Sequence, residues 1–77
     1  MASKDFILYP KVDAKYNHYK GGVYEVITMA THSETQEPLV IYKSLLFGSI
    51  YARPLSMWFD IVTDWQGYET TRFKLVE

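Results

Sequence analysis

Ala30-Thr31-His32-Ser33-Glu34-Thr35-Gln36-Glu37-Pro38 is a polar stretch set between two runs of β-branched and aromatic residues, and its reading decides the fold. Val23-Tyr24-Glu25-Val26-Ile27-Thr28-Met29 enters it, and Leu39-Val40-Ile41-Tyr42-Lys43-Ser44-Leu45 leaves it. Val, Ile and Tyr suit a pleated, half-buried surface, whereas Ser and Thr satisfy turn N–H groups and Pro interrupts a ladder. The pattern therefore predicts an antiparallel hairpin with an elaborate tip. Neither arm alternates cleanly. Tyr24 and Val26 fall on one face while Ile27 and Met29 fall on the other, which predicts that either both faces are covered or a bulge near Ile27-Thr28 switches the inward side.

Working outward, Gly21-Gly22 precedes the hairpin and Gly48-Ser49 follows it, both suited to turns that need positive φ. Ile50-Tyr51-Ala52-Arg53 reads as a strand stopped by Pro54. Pro54 to Trp58 reads as a single 3₁₀ turn, with Leu55 and Trp58 three positions apart. Ile61-Val62-Thr63 is strand-like, residues 64–70 form a loop around Gly67, and residues 71–76 alternate with Phe73 and Leu75 inward. The expectation is an all-β domain: a small SH3-like barrel of about five short strands with one 3₁₀ turn near 54–58, a plain meander being the alternative. Residues 1–15 read as an N-terminal arm, extended or loosely docked, and residues 16–77 as the barrel domain.

Seven Tyr, four Phe and two Trp in 77 residues are the means by which so short a chain builds a core. A domain of this size buries only about 60% of the surface its unfolded chain exposes, and each large ring covers roughly 150–250 Å². With no Cys, disulfide staples and thiolate chemistry are excluded. The net charge of −1 comes from eight basic and nine acidic residues with no block of one sign, which argues against nucleic acid and anionic membrane as partners. Phe6-Ile7-Leu8-Tyr9 is too short an apolar run for a signal peptide or a membrane span, so a cytoplasmic protein is expected.

Three segments carry a family resemblance. They are Tyr16-Asn17-His18-Tyr19-Lys20-Gly21-Gly22-Val23-Tyr24-Glu25-Val26, the stretch from Ala30 through Pro38 to Tyr42, and Arg53-Pro54-Leu55-Ser56-Met57-Trp58. From Tyr16 onward the chain resembles a family of small, mostly bacterial proteins catalogued only as a domain of unknown function. The resemblance implies an SH3-type β-barrel and brings no activity, substrate or catalytic residue with it.

Four groups of residues are candidates for a site. His32, Glu34 and Glu37 share the hairpin tip and have the donor types of a zinc or manganese site, with His18 near them if the first strand folds back. Ser33, Glu34 and Thr35 are equally suited to bonding the turn's own N–H groups, which accounts for the motif without a ligand. His18-Tyr19-Lys20-Gly21-Gly22 sets an imidazole, a phenol and an ammonium beside glycines that present N–H groups to an anion. Tyr51 and Arg53 share a strand face on which a guanidinium stacks on a ring. With Tyr16, Tyr19, Trp58 or Trp65 they suggest an aromatic groove, although Trp58, after a Pro-led turn, reads first as a core plug.

His18, Lys20, His32, Ser33, Glu34, Tyr42 and Arg53 are thus the expected ligand-binding residues, with no cofactor and no bound metal. The expected function is a non-enzymatic binding or interaction module for a protein or a small polar ligand. The alternative is a small metal-dependent enzyme using His32 or His18 with Glu34 or Glu37. A structural subunit, pairing as a homodimer through exposed strand edges, is a third reading.

Overall fold

Strands β2 (Val23–Thr31) and β3 (Pro38–Ser44) form the long hairpin, and their register shows why its pattern is irregular. Val26 pairs with Tyr42 and Thr28 with Ile41, so Ile27 is an extra residue on β2. The bulge lies where the pattern placed it. Before it Tyr24 and Val26 turn inward; after it Met29 packs against the core while Ile27 and Thr28 are exposed. The computed structural model describes residues 9–76, so Phe6-Ile7-Leu8 and the first half of the expected arm lie outside them.

β1 (Lys15–His18) pairs with the free side of β2, β7 (Phe73–Leu75) pairs with β1, and β4 (Ile50–Pro54) pairs with β3. The resulting antiparallel sheet has the order β4-β3-β2-β1-β7. β5 (Ile61–Thr63) and β6 (Glu69–Thr71) make a separate two-stranded sheet. A 3₁₀ turn, Leu55–Met57, follows Pro54 as expected, and Trp58 N–H closes it onto Leu55 O at 3.0 Å. Among the described residues the fold is all-β, and no helix is long and apolar enough to cross a membrane.

The strand count differs from the expectation. There are seven short strands where about five were expected; the large sheet is open, with β4 and β7 at its two edges. One of the two additional strands is β1, and the other arises at Arg72. Residues 71–76 read as one alternating strand, but Arg72 N–H bonds Asp60 O at 2.8 Å while its carbonyl accepts Tyr19 N–H at 2.9 Å. The chain therefore bends there, giving β6 to one sheet and β7 to the other. At the other end, Asp13 N–H bonds Val26 O and Val26 N–H bonds Ala14 O, so residues 13 and 14 are tied to β2 at the bulge.

Aromatic rings fill the core. Tyr16, Val26, Val40, Tyr42, Leu55, Trp58 and Phe73 form one buried cluster. Trp58 is 0% exposed and lies flat on Phe73, centroids 3.8 Å apart and planes 4° from parallel. Tyr42 and Tyr16 meet the indole edge-on at 5.0 and 5.5 Å, the arrangement that ring quadrupoles favour. Trp58 is the plug that its Pro-led turn suggested. Truncating it opens a cavity that three rings border: Trp58→Ala is expected to cost about 3–5 kcal/mol, against about 4–12 kcal/mol for a domain of this size. Urea unfolding followed by circular dichroism measures the loss, and a cost below about 1 kcal/mol would contradict this account of the core.

Candidate functional site

The turn after β1 is built by its own side chain. Gly21 N–H bonds His18 O at 2.8 Å, His18 N–H bonds Gly22 O at 3.0 Å, and Lys20 N–H donates to His18 Nδ1 at 3.1 Å. Gly21 and Gly22 have φ of 107° and 93°, values that L side chains rarely adopt, which is why the sequence spends two glycines here. The N–H groups of Tyr19, Lys20 and Gly21 are all taken, by Arg72 O, His18 Nδ1 and His18 O respectively, so these three do not form a backbone cradle for an anion.

A second turn faces the first. Asp64 Oδ1 accepts Gln66 N–H at 2.9 Å and Tyr68 N–H at 3.0 Å, and Gly67 N–H bonds Asp64 O at 3.0 Å. The carboxylate thus organises the β5–β6 connection as an Asx turn and lifts Trp65 to its crest, where the residue is 88% exposed. Between the turns lies a cleft of about 620 Å³, with His18, Tyr19 and Lys20 on one wall and Thr63, Asp64 and Trp65 on the other. A smaller depression of about 200 Å³ continues past Tyr19 and Trp65 to Thr71 and Lys74.

Cations surround the histidine. Lys20 Nζ and the Arg72 guanidinium each lie 5.7 Å from the Tyr19 ring centre, and the Arg53 guanidinium lies 5.8 Å from that of Phe73. Arg72 also reaches Asp60 at 3.4 Å. His18 packs beside Tyr19 at 4.9 Å and edge-on to Phe73 at 5.0 Å. Burial against these rings, then the charges of Arg72, Arg53 and Lys20, hold its pKa below the ordinary 6.5. The ring is therefore neutral at pH 7, and because Nδ1 accepts a hydrogen bond, the assigned tautomer carries its proton on Nε2.

The expected site residues fall into three places. His18 and Lys20 line the cleft. Arg53 Nε–H donates to the Tyr42 hydroxyl at 3.4 Å, and its guanidinium lies over Phe73 rather than Tyr51; Tyr42 itself is buried in the core, where Tyr51 packs against it. His32, Ser33 and Glu34 sit at the hairpin tip, at the opposite end of β2 from His18. There His32 Nδ1 accepts the N–H groups of Glu34 and Thr35, and Thr35 Oγ1 donates to Glu37 Oε1 at 3.2 Å. Among the described residues no three His, Cys, Asp or Glu side chains are grouped to hold a metal.

Sequence reading missed Asp64 and Arg72, named Trp65 only as a possible groove member, and named Tyr19 both there and beside His18 and Lys20. Asp64-Trp65-Gln66-Gly67 does carry a signal: Asp first and Gly fourth is a turn signature that sends the second residue outward. Arg72 carries none.

The His18 environment makes a titration prediction. Its charged form is disfavoured in the folded protein, so its ring resonances are expected to titrate with a midpoint below 6.5. As pH falls through 6.5 the unfolded chain takes up a proton that the folded chain refuses, and stability is lost until the folded midpoint is passed. Added salt screens the three cations and moves the midpoint upward, leaving the burial contribution in place. A midpoint above 6.5 by NMR would contradict the cationic, partly buried setting.

The comparisons with known proteins agree with one another. The family described as a protein of unknown function, DUF1653, matches residues 14–75. A crystal structure of a protein of that family from Bordetella bronchiseptica superposes with a TM-score of 0.74 at 30% sequence identity, covering 95% of this chain and 90% of that one. No curated protein matches the chain. The family match spans every strand from β1 to β7, the cleft and the hairpin tip, and the chain belongs to the DUF1653 family.

Proposed function

We propose that the protein is a non-enzymatic binding module that holds a small polar ligand in the cleft between His18-Tyr19-Lys20 and Thr63-Asp64-Trp65. The observation that carries this reading is the placement of Trp65. A large indole held in water forgoes roughly 2–3 kcal/mol of burial, and here a structured Asx turn keeps it at the mouth of a cleft facing a second ring and a cation. A single exposed aromatic residue is ordinary. An exposed aromatic opposite Tyr19, Lys20 and a neutral imidazole is an arrangement for holding a ligand by stacking and a few polar contacts.

The chemistry at hand supports binding over turnover. His18 Nδ1, the one unprotonated nitrogen of the neutral ring, is occupied by Lys20 N–H, and Asp64 Oδ1 accepts two N–H groups of its own turn. The imidazole is therefore not free to act as base for a neighbouring nucleophile. The rival reading sets His18 or His32 beside Glu34 or Glu37; the length of β2 lies between His18 and those acids, and His32 Nδ1 is given to the N–H groups of Glu34 and Thr35.

The two tryptophans make the test direct, since Trp58 is buried and Trp65 exposed. A thermal-shift screen of small polar metabolites is expected to yield ligands that change Trp65 emission. Trp65→Phe should abolish much of that response, and Trp65→Ala should weaken binding about tenfold or more, both with unchanged circular dichroism. Ligands whose affinity is indifferent to Trp65→Ala, or steady turnover of a screened compound, would overturn the reading.

A further inference from the structure

We infer that the ligand of this cleft is an organic carboxylate, its oxyanion met by Lys20 Nζ and the Nε2–H of His18 and its apolar body laid along Trp65. The inference rests on the binding-module reading above and adds the sign and shape of the ligand. It begins with charge. Lys20, Arg72 and Arg53 all bear on His18, and against these three cations stand two acids: Asp60, paired with Arg72, and Asp64, whose Oδ1 accepts the N–H groups of Gln66 and Tyr68. In a protein with a net charge of −1, the surroundings of this cleft thus keep one positive charge in excess.

Three alternatives fit less well. A quaternary ammonium needs open aromatic faces, but Tyr19 already has Lys20 and Arg72 within 5.7 Å of its ring centre, so a ligand cation would meet like charge. A phosphate dianion is ordinarily seated by several converging backbone N–H groups. Those of Tyr19, Lys20 and Gly21 are spent, and Lys20 is the one lysine or arginine on the cleft wall among the described residues. A wholly neutral apolar ligand would cover Lys20 and the imidazole N–H without giving either a partner. A single negative charge on a flat or apolar body satisfies both halves of the site. The Nε2 proton of His18 is fixed for this role because Nδ1 accepts from Lys20 N–H, which makes the turn and the donor one device.

The experiment uses probes that share one body and differ in charge: phenylacetate, 2-phenylethanol and phenethylammonium, with inorganic phosphate as a fourth. Each is titrated against the full chain, read by Trp65 fluorescence and by amide shifts at Lys20 and Trp65. Phenylacetate is expected to bind about fivefold or more tightly than 2-phenylethanol, with phenethylammonium weakest. Lys20→Gln should erase that preference, bringing phenylacetate to the affinity of 2-phenylethanol for the same variant, and Lys20→Arg should restore it; Lys20 is exposed, so neither change threatens the fold. Equal binding of the alcohol or the ammonium overturns the carboxylate inference and leaves the module standing. Phosphate that displaces phenylacetate, with no binding of the alcohol, overturns it in favour of a bare charge site. If no probe perturbs the cleft, both readings fall.

Discussion

The stack of Trp58 on Phe73 is the contact on which the rest of the molecule depends. β4 and β7 are the two edges of an open sheet, and no ladder of hydrogen bonds joins them. The 3₁₀ turn carries the chain from the end of β4 to Trp58, and Phe73 opens β7, so the two rings at 3.8 Å bring the ends of the sheet over one another. Tyr16 from β1 and Tyr42 from β3 close around the indole edge-on. Ring packing here performs the task that backbone pairing performs in a closed barrel, and it explains an aromatic content that a short chain without disulfides needs to hold shape.

Phe73 also connects the core to the cleft. It lies opposite His18 in the β1–β7 register and receives the imidazole edge-on, while Arg53 lies over its ring. The residue before it, Arg72, is the bend at which the chain leaves one sheet for the other. Its carbonyl anchors Tyr19 and its guanidinium lies near the Tyr19 ring. The positions of His18 and Tyr19 are therefore inherited from the packing of Phe73. The opposite wall, with Trp65, belongs to the two-stranded sheet joined to the large one through the same bend.

What was legible in the sequence was local. The hairpin, the bulge at Ile27, the positive-φ glycines and the Pro-led 3₁₀ turn each follow from a few neighbouring residues whose backbone preferences decide the outcome. The break at Arg72 was not legible, because an alternating run looks the same whether one sheet or two receive it; only the distant carbonyl of Asp60 and the N–H of Tyr19 decide. The site divides in the same way. His18 and Lys20 stood out by their chemistry and their glycines, and Trp65 was readable from the Asx turn that carries it. Arg72 reaches the site only through tertiary structure. His32, Ser33 and Glu34 drew attention because residues that bind ligands also bind turns, and at this tip His32 Nδ1 is given to the N–H groups of Glu34 and Thr35.

An open sheet has edges, and these two are unequal. β7 is three residues long with exposed Lys74 at its centre, a poor template for another strand. β4 is longer and begins at exposed Ile50, just after exposed Leu46 and Phe47, with only Pro54 to interrupt its N–H row. Of the large sheet's two edges, β4 is therefore the one that presents a long backbone row to solvent, and Pro54 marks where that row ends.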